Sequence, residues 1–338
     1  MIGETEIISE IGRMKRRKGK GFRILLAMLI GAIVTMSGCG STSSRMMFGT
    51  GGTAGTYYAY GGVLAQYMRN YAGVKVTAVS TGGSKVNIQS LQDGDYQLGF
   101  AQSDVMTYAW NGTRAFEKDG AIHDFRVLGS LYDETVQLFT MDEKIQSVSD
   151  LKGKKVSIGA SGSGVYFNAL DVLAGAGLSL DDIKPQYQSF EDSKEALKDG
   201  RIDAAFIVAG APTSAITELA TTNGVYLINI DGEVRDAIMA ECPYYSAKEL
   251  PAGTYPGQNE PVQTIAVKAV LIVSAVVPEE TVYHLTSAIF DHVENITLEN
   301  AKGGELTLEN ATGTKSVPFH KGAARYYAEQ GFTVETLE

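Results

Sequence analysis

Apolar and polar positions along this chain follow two periods that take turns. Tyr60, Val63, Leu64, Tyr67, Met68 and Tyr71 step by three and one, which is the stripe of an amphipathic helix. The same spacing returns at Ile88 and Leu91, before Gly94. It returns again at Val165, Ala169, Val172, Leu173 and Ala176, where Gly177 is placed as a C-terminal cap. Short apolar runs between these stripes predict strands at 74–79, 97–101, 126–131, 135–140, 155–159, 203–208 and 225–230. Strand and helix in alternation predict an α/β fold, with ligands expected at the carboxyl ends of the strands.

The order of patterns repeats within the chain. Gly55-Thr56-Tyr57 followed by Leu64-Ala65 has a counterpart in Gly164-Val165-Tyr166 followed by Leu173-Ala174, and Leu91-Gln92-Asp93-Gly94 with Phe100 is matched by Leu197-Lys198-Asp199-Gly200 with Phe206. Two copies of strand, glycine loop, helix, strand predict two similar lobes. Residues 264–277 form a long apolar run interrupted by Lys268, read as a buried strand returning from the second lobe to the first. Helical patterns over 279–293 and 321–330 then complete the first lobe. The expected division is 46–135 with 265–338 as lobe I and 136–264 as lobe II. A chain that leaves one lobe, builds another and returns makes a hinge and an interlobe cleft.

Charge and the amino-terminal stretch narrow the setting. Lys15-Arg16-Arg17-Lys18-Gly19-Lys20 and Arg23 form a basic region, 24–36 is apolar, and Ser37-Gly38-Cys39-Gly40 places small residues around a cysteine. The apolar run is short for a bilayer span and suits a secretory signal. It resembles the lipobox of bacterial lipoproteins, which implies a signal peptide over 1–38, lipidation of Cys39 and a tether over 39–45. An uncleaved signal anchor is the alternative, and Met14 is a candidate start because Glu4, Glu6 and Glu10 are unusual in a leader. Either way the folded part is expected outside the cytoplasm, held at the membrane. Residues 1–38 carry seven basic and three acidic side chains, so without them the net charge moves from −10 to −14. So acidic a chain is not expected to bind nucleic acid. Cys242 would be left as the lone thiol, so a packed core and not disulfides must hold the fold.

The candidate chemistry sits in three loops, each placed after an apolar run and before a helical stripe: Gly49-Thr50-Gly51-Gly52-Thr53-Ala54-Gly55-Thr56, Ser80-Thr81-Gly82-Gly83-Ser84 and Ala160-Ser161-Gly162-Ser163-Gly164. Glycine lets backbone approach a ligand, the unpaired N–H groups of a first helical turn attract negative charge, and hydroxyls add adjustable donors. Together they predict an anion pocket built of amides and hydroxyls. Gly49, Gly51 and Ala54 also fit a relaxed dinucleotide fingerprint. The strand over 74–79 nevertheless ends at Ser80 and not at an acidic residue, and no phosphate-cradling G-x-x-x-x-G-K-[ST] run occurs. Asp104 is read as an N-cap for the following helix in preference to a ligand contact. No cofactor is expected.

Several separated motifs carry a family likeness. The 49–58 loop, Ser80-Thr81-Gly82-Gly83-Ser84, the 94–104 segment ending Ala101-Gln102-Ser103-Asp104, and Leu151-Lys152-Gly153-Lys154 ahead of the third loop are joined by Gly253-Thr254-Tyr255-Pro256-Gly257 and by Pro318-Phe319-His320-Lys321-Gly322-Ala323-Ala324-Arg325-Tyr326-Tyr327. Over about residues 46–332 the chain resembles the TAXI family, the solute receptors of one class of TRAP transporters. The resemblance implies a two-lobed, type II-like periplasmic-binding-protein fold that captures a small organic acid or amino acid, with glutamate or 2-oxoglutarate as the expected solutes, and presents it to an integral membrane permease. A receptor of an ATP-driven importer is the alternative, followed by a secreted enzyme. Carried over by position, the expected contacts are Gly51, Gly52, Thr53, Gly55, Thr56 and Tyr57; Thr81, Gly82, Gly83 and Ser84; Gln102, Ser103 and Asp104; Ser161, Ser163, Gly164 and Asn168; and Ala209 and Gly210.

Other TRAP receptors grip the solute carboxylate with an arginine, and none stands in these loops. Four hydrogen bonds to a charged acceptor, at about 1.5–3 kcal/mol each, gross roughly 6–12 kcal/mol, and a micromolar complex needs about 8. Amides and hydroxyls therefore suffice. Catalysis is not expected: His123, His284, His292 and His320 lack metal spacing, no G-x-S-x-G elbow occurs, and Cys242 has no histidine beside it.

Overall fold

The computed structural model describes residues 45–337, so the expected leader, Cys39 and the tether up to residue 44 lie outside the described residues. In chain order the elements are β1 (Arg45–Gly49), α1 (Thr56–Tyr71), β2 (Lys75–Val79), α2 (Ser84–Gln92), β3 (Leu98–Gln102), α3 (Ser103–Asn111), β4 (Phe125–Thr140), β5 (Lys155–Ser157) and α4 (Gly164–Gly175). There follow β6 (Lys184–Gln186), α5 (Phe190–Lys198), β7 (Ala204–Ala209), α6 (Ser214–Thr222), β8 (Tyr226–Ile228), α7 (Gly232–Glu241), β9 (Ser246–Leu250), β10 (Val262–Ser274), α8 (Glu279–Phe290), α9 (Val293–Glu299), α10 (Leu308–Ala311) and α11 (Lys321–Glu329).

The strands run in the order β2-β1-β3-β10-β4-β7-β5-β6, with β8 added to β4 and β9 to β10. β1 is parallel to β2 and β3, and β5 is parallel to β6 and β7, so each end of the sheet holds a parallel set whose carboxyl ends deliver a glycine loop. Between them β10 runs antiparallel to β3 and β4, and β4 antiparallel to β7. β3 and β7 are buried along their whole length, as strands covered on both faces must be.

Two long strands join the halves. β4 gives Val127, Leu128 and Leu131 to a core built around Phe48, Tyr60, Leu64 and Phe100, then Val136 and Leu138 to a second core with Val156, Ile158 and Phe206. β10 runs the other way, giving Ile265 and Val267 to the second core and Val270 to Val273 to the first. A smaller cluster of Phe139, Ile207, Ile216 and Tyr255 covers the far face of β7. The result is a two-lobed α/β fold bridged by two crossing strands.

Three differences from the pattern-based expectation have simple causes. The runs at 126–131 and 135–140 are one strand of 16 residues, because the polar Asp133-Glu134 step between them remains in the ladder opposite Lys268 and Val267. The helical stretch over 279–293 is two helices that meet at Asp291-His292. β6 and β9 were not predicted, since Lys184-Pro185-Gln186 and Ser246–Leu250 carry little apolar alternation and owe their geometry to neighbours already in the sheet. Gly177, with φ +71°, stands where the stripe placed a cap, and the Leu178 amide reaches back to Leu173 O at 2.8 Å.

Candidate functional site

The three loops do launch helices. Gly55 precedes α1, Gly83 precedes α2, and Ser163 caps α4 by accepting from the Tyr166 amide. Gly83 holds φ +96°, open to glycine alone without strain. Loops one and two are tied by Asn87, which donates to Thr50 O (2.7 Å) and Phe100 O (2.8 Å) while accepting from Thr81 Oγ1 (2.7 Å). Ser80 Oγ adds a bond to Gly51 O.

All three helix starts face one cavity of about 110 Å³ between the crossing strands and the loops. Gly51, Gly52, Gly55, Thr56 and Tyr57 line it from the first loop, Thr81, Gly82, Gly83 and Ser84 from the second, and Ser163 and Gly164 from the third, with Gln102 and Ala209 from the ends of β3 and β7. A fourth helix start joins them. Gln188, Ser189 and Phe190 line the cavity at the entry to α5, where Ser189 accepts from the Asp192 amide at 3.1 Å. Glu134, Ala160, Val165 and Val208 complete the wall. No lysine or arginine lines it among the described residues.

Six of the expected contacts lie elsewhere. Thr53 and Ser161 are exposed and do not line the cavity. Ser103 accepts from the Lys268 amide through Oγ, at 3.1 Å. Gly210 turns its carbonyl to Thr56 Oγ1, at 2.9 Å, and so joins the lobes without lining the cavity. Asp104 is not the N-cap of α3, a place taken by Gln102; it is buried in the first turn, where it accepts from Asn168 Nδ2 at 2.9 Å. Asn168 is buried behind the wall, donating also to the Tyr245 hydroxyl (2.7 Å) and accepting from Gln102 Nε2 (3.1 Å). Asp104 and Asn168 thus orient Gln102 from beneath.

The lobes meet around the cavity. Ser214 Oγ donates to Ala54 O at 2.7 Å, the Phe190 ring lies against Gly55 where a side chain would crowd it, and Gln102 lies across Gly164 so closely that a side chain there would collide with it. Tyr57 stacks on Phe100 with ring centroids 4.6 Å apart and its hydroxyl has no partner among the described residues. Burial raises that phenol well above its ordinary value, and Glu134 adds to the effect.

Two buried carboxyls accompany the amides. Burial pushes Glu134 up to about 8, against the Tyr132 hydroxyl, the Lys302 charge and the Gly210 amide; burial pushes Asp104 up to about 7, against the Val105 amide and Asn168. The missed wall residues had faint signals: Ser189 three before Asp192 is a capping pattern in a loop without glycine, and Glu134 interrupts an apolar run.

Among solved structures the chain is similar to the periplasmic aliphatic sulphonate binding protein SsuA from Escherichia coli, at 17% identity over 85% of this chain and 90% of that one, with a TM-score of 0.44. It is also similar to a protein of Bordetella bronchiseptica RB50, at 15% identity, 84% and 89% coverage and a TM-score of 0.51. A third is the GluR0 ligand-binding core from Nostoc punctiforme in complex with L-glutamate, at 15% identity, 77% and 100% coverage and a TM-score of 0.47. The described residues share the fold of the Bordetella bronchiseptica protein. The model of the NMT1-like family matches residues 48–331, a description broader than the TAXI receptors of the sequence resemblance. The chain belongs to the NMT1-like family.

Proposed function

We propose that this chain is an extracytoplasmic solute receptor that captures a small organic acid between its lobes and hands it to a membrane importer. The observation that carries the reading is the convergence of four helix amino-termini, from α1, α2, α4 and α5, on one cavity without a lysine or arginine in its wall. First-turn amides lack intrahelical acceptors and carry the positive end of the helix dipole, so an acid group placed there meets several donors at once. In this reading 46–135 with 265–338 and 136–264 are the two lobes, β4 and β10 their hinge, and the Gly, Thr, Ser and Gln residues of the wall the contacts. The solute is released unchanged, and the protein is not an enzyme.

Membership of the NMT1-like family supports a receptor of this kind, and with it an ATP-driven importer ahead of the TRAP-type permease. The TRAP reading stands second, favoured by the motifs between residues 49 and 327. No helix among the described residues is long and apolar enough to cross a membrane. Lipidation at Cys39, as the lipobox resemblance implies, would supply the attachment. Glutamate and 2-oxoglutarate remain the first solutes to try.

Native mass spectrometry of the protein as isolated, followed by thermal-shift titration with carboxylates, sulfonates and phosphonates and recovery of each compound, tests the proposal. A bound acid recovered intact is the expected result; turnover, or stabilisation by no anion, ends it. Uptake by vesicles holding the neighbouring permease, driven by ATP or by an ion gradient, separates the two importers.

A further inference from the structure

Four polar atoms of the cavity wall have no hydrogen-bond partner among the described residues: Tyr57 Oη, Gln102 Oε1, Glu134 Oε1 and Gln188 Oε1. An acid group can use the first of these. Gln102 and Gln188 present carbonyl oxygens that accept, which a bare anion would meet unfavourably, and Glu134 becomes a further acceptor once its proton leaves. Their presence beside four helix amino-termini gives the cavity a donor side and an acceptor side.

The polarity of Gln102 follows from its neighbours. Asn168 spends both amide hydrogens, on Asp104 Oδ2 and the Tyr245 hydroxyl, so its Oδ1 faces Gln102 and must receive Gln102 Nε2. Gln102 Oε1 is then the free end, next to Gly164. Gln102 and Glu134 are each 2% exposed and border the cavity, so whatever occupies the cavity must answer them. No lysine or arginine among the described residues pairs with Glu134. Lys302 is drawn to Glu305 at 2.6 Å and lies over the ring of Tyr132, while Tyr57, Tyr132 and Asp104 are the other titratable groups around it.

We propose that the solute carries a protonated amino group besides its acid group, and that Glu134, with Gln102 Oε1, is the acceptor that selects it. The solute class is a small zwitterion: an amino acid or another aminated acid. The inference rests on the receptor reading above and adds the discrimination between an amine and a keto or hydroxy group on the same skeleton. It also explains a buried carboxyl in a pocket for acids: an ammonium at hydrogen-bond distance restores the charge on Glu134 that burial opposes. Binding an amine at pH 7 then expels the Glu134 proton.

The test is calorimetric titration of the purified full-length chain with matched pairs that differ in the amine alone: glutamate and 2-oxoglutarate, alanine and pyruvate, taurine and isethionate. Within any pair that binds, the amine is expected to bind at least about tenfold tighter, the worth of one charge-assisted hydrogen bond. Glu134→Gln should cut that ratio by weakening the amine and not its partner. Should that variant fold poorly, wild-type titrations in two buffers of different ionisation enthalpy give a second readout, with proton release expected for the amine. An amine-free member that binds as tightly, a Glu134→Gln loss shared equally by both members, or no proton release overturns this inference and leaves the receptor reading standing. Binding of no pair removes the receptor reading and this inference with it.

Discussion

The guanidinium of Arg114, on the short turn after α3, forks onto the carboxylate of Asp171 on α4, with Nη2–Oδ1 at 2.5 Å and Nη1–Oδ2 at 3.2 Å. Arg114 packs with the first core through Tyr108, whereas α4 presents Val165, Val172 and Leu173 to the second, so the pair fastens one lobe to the other. Asp171 also accepts from the Tyr245 hydroxyl at 2.9 Å.

Arg114→Met should therefore weaken solute binding more than it weakens the fold. The Asp171 side chain is 7% exposed, and removing its cation leaves a buried charge with one hydroxyl for company, at a cost of about 1–3 kcal/mol after allowing for the half-exposed arginine. If that cost falls on the closed arrangement, affinity drops by about tenfold or more. Adding Asp171→Asn to Arg114→Met should recover part of the loss, since the unpaired charge is then gone. Small-angle scattering without solute, read beside titration calorimetry, checks the lobe separation directly. Equal affinities in the wild type and Arg114→Met would show that the pair does not hold the lobes.

Gly164→Ala tests the support of Gln102. The added methyl would occupy the place of the Gln102 carboxamide, whose Nε2 lies 3.2 Å from it, and so would drive Gln102 off Asn168. The position is the first of α4, where alanine is no worse a helix former than glycine. Affinity should fall about tenfold as Gln102 leaves its place, and stability should fall by about 1–3 kcal/mol through the lost buried hydrogen bond. Thermal melts with and without solute provide the measurement.

The sequence made the glycine loops legible because a helix start that meets a ligand through its backbone needs small residues and hydroxyls, and these are visible as letters. It hid the layer beneath. Asn168 and Asp104 look like first-turn contacts, yet a side chain one turn into α4 or α3 points under the wall, and only packing reveals that it orients Gln102. Glu134 was concealed by its own chemistry. An acidic step in an apolar run reads as a turn, so β4 was divided there; in the fold Asp133 finds two lysines and Glu134 turns to the cavity. The entry to α5 lacks glycine, and its capping serine resembles many that serve a helix alone.

The two buried acids set the neutral limb of the stability profile. Burial raises Glu134 to about 8 and Asp104 to about 7, above the values of 4.5 and 3.8 that these groups take when unfolded. A carboxyl whose folded value is raised contributes most below its unfolded value, and that contribution is lost as pH rises through the folded one. The solute-free protein should therefore melt at falling temperatures from about pH 5 to pH 8, at up to about 1.4 kcal/mol per unit for each group. Asp104→Asn should flatten the slope below pH 7 and Glu134→Gln the slope up to pH 8. Melting curves across that range, in buffers of constant ionic strength, check both.

Asp133 acts in the opposite direction and at the crossing itself. It stands on β4 opposite Lys268 of β10 and accepts from Lys268 Nζ at 2.6 Å and Lys248 Nζ at 2.7 Å, so one carboxylate joins the strands that link the lobes. Burial works against its charge, but the two lysines prevail and hold the carboxyl below its ordinary value. A depressed value means stability present above about pH 3.8 and lost as pH falls through the folded value. Asp133→Asn should lower the melting temperature at pH 7, and the difference from the wild type should close on acidification below the ordinary aspartate value. The lysines are partly exposed, so about 1 M salt should narrow the pH 7 gap without closing it. A gap that stays constant from pH 7 to the acid limit would place the role of Asp133 in packing and not in charge.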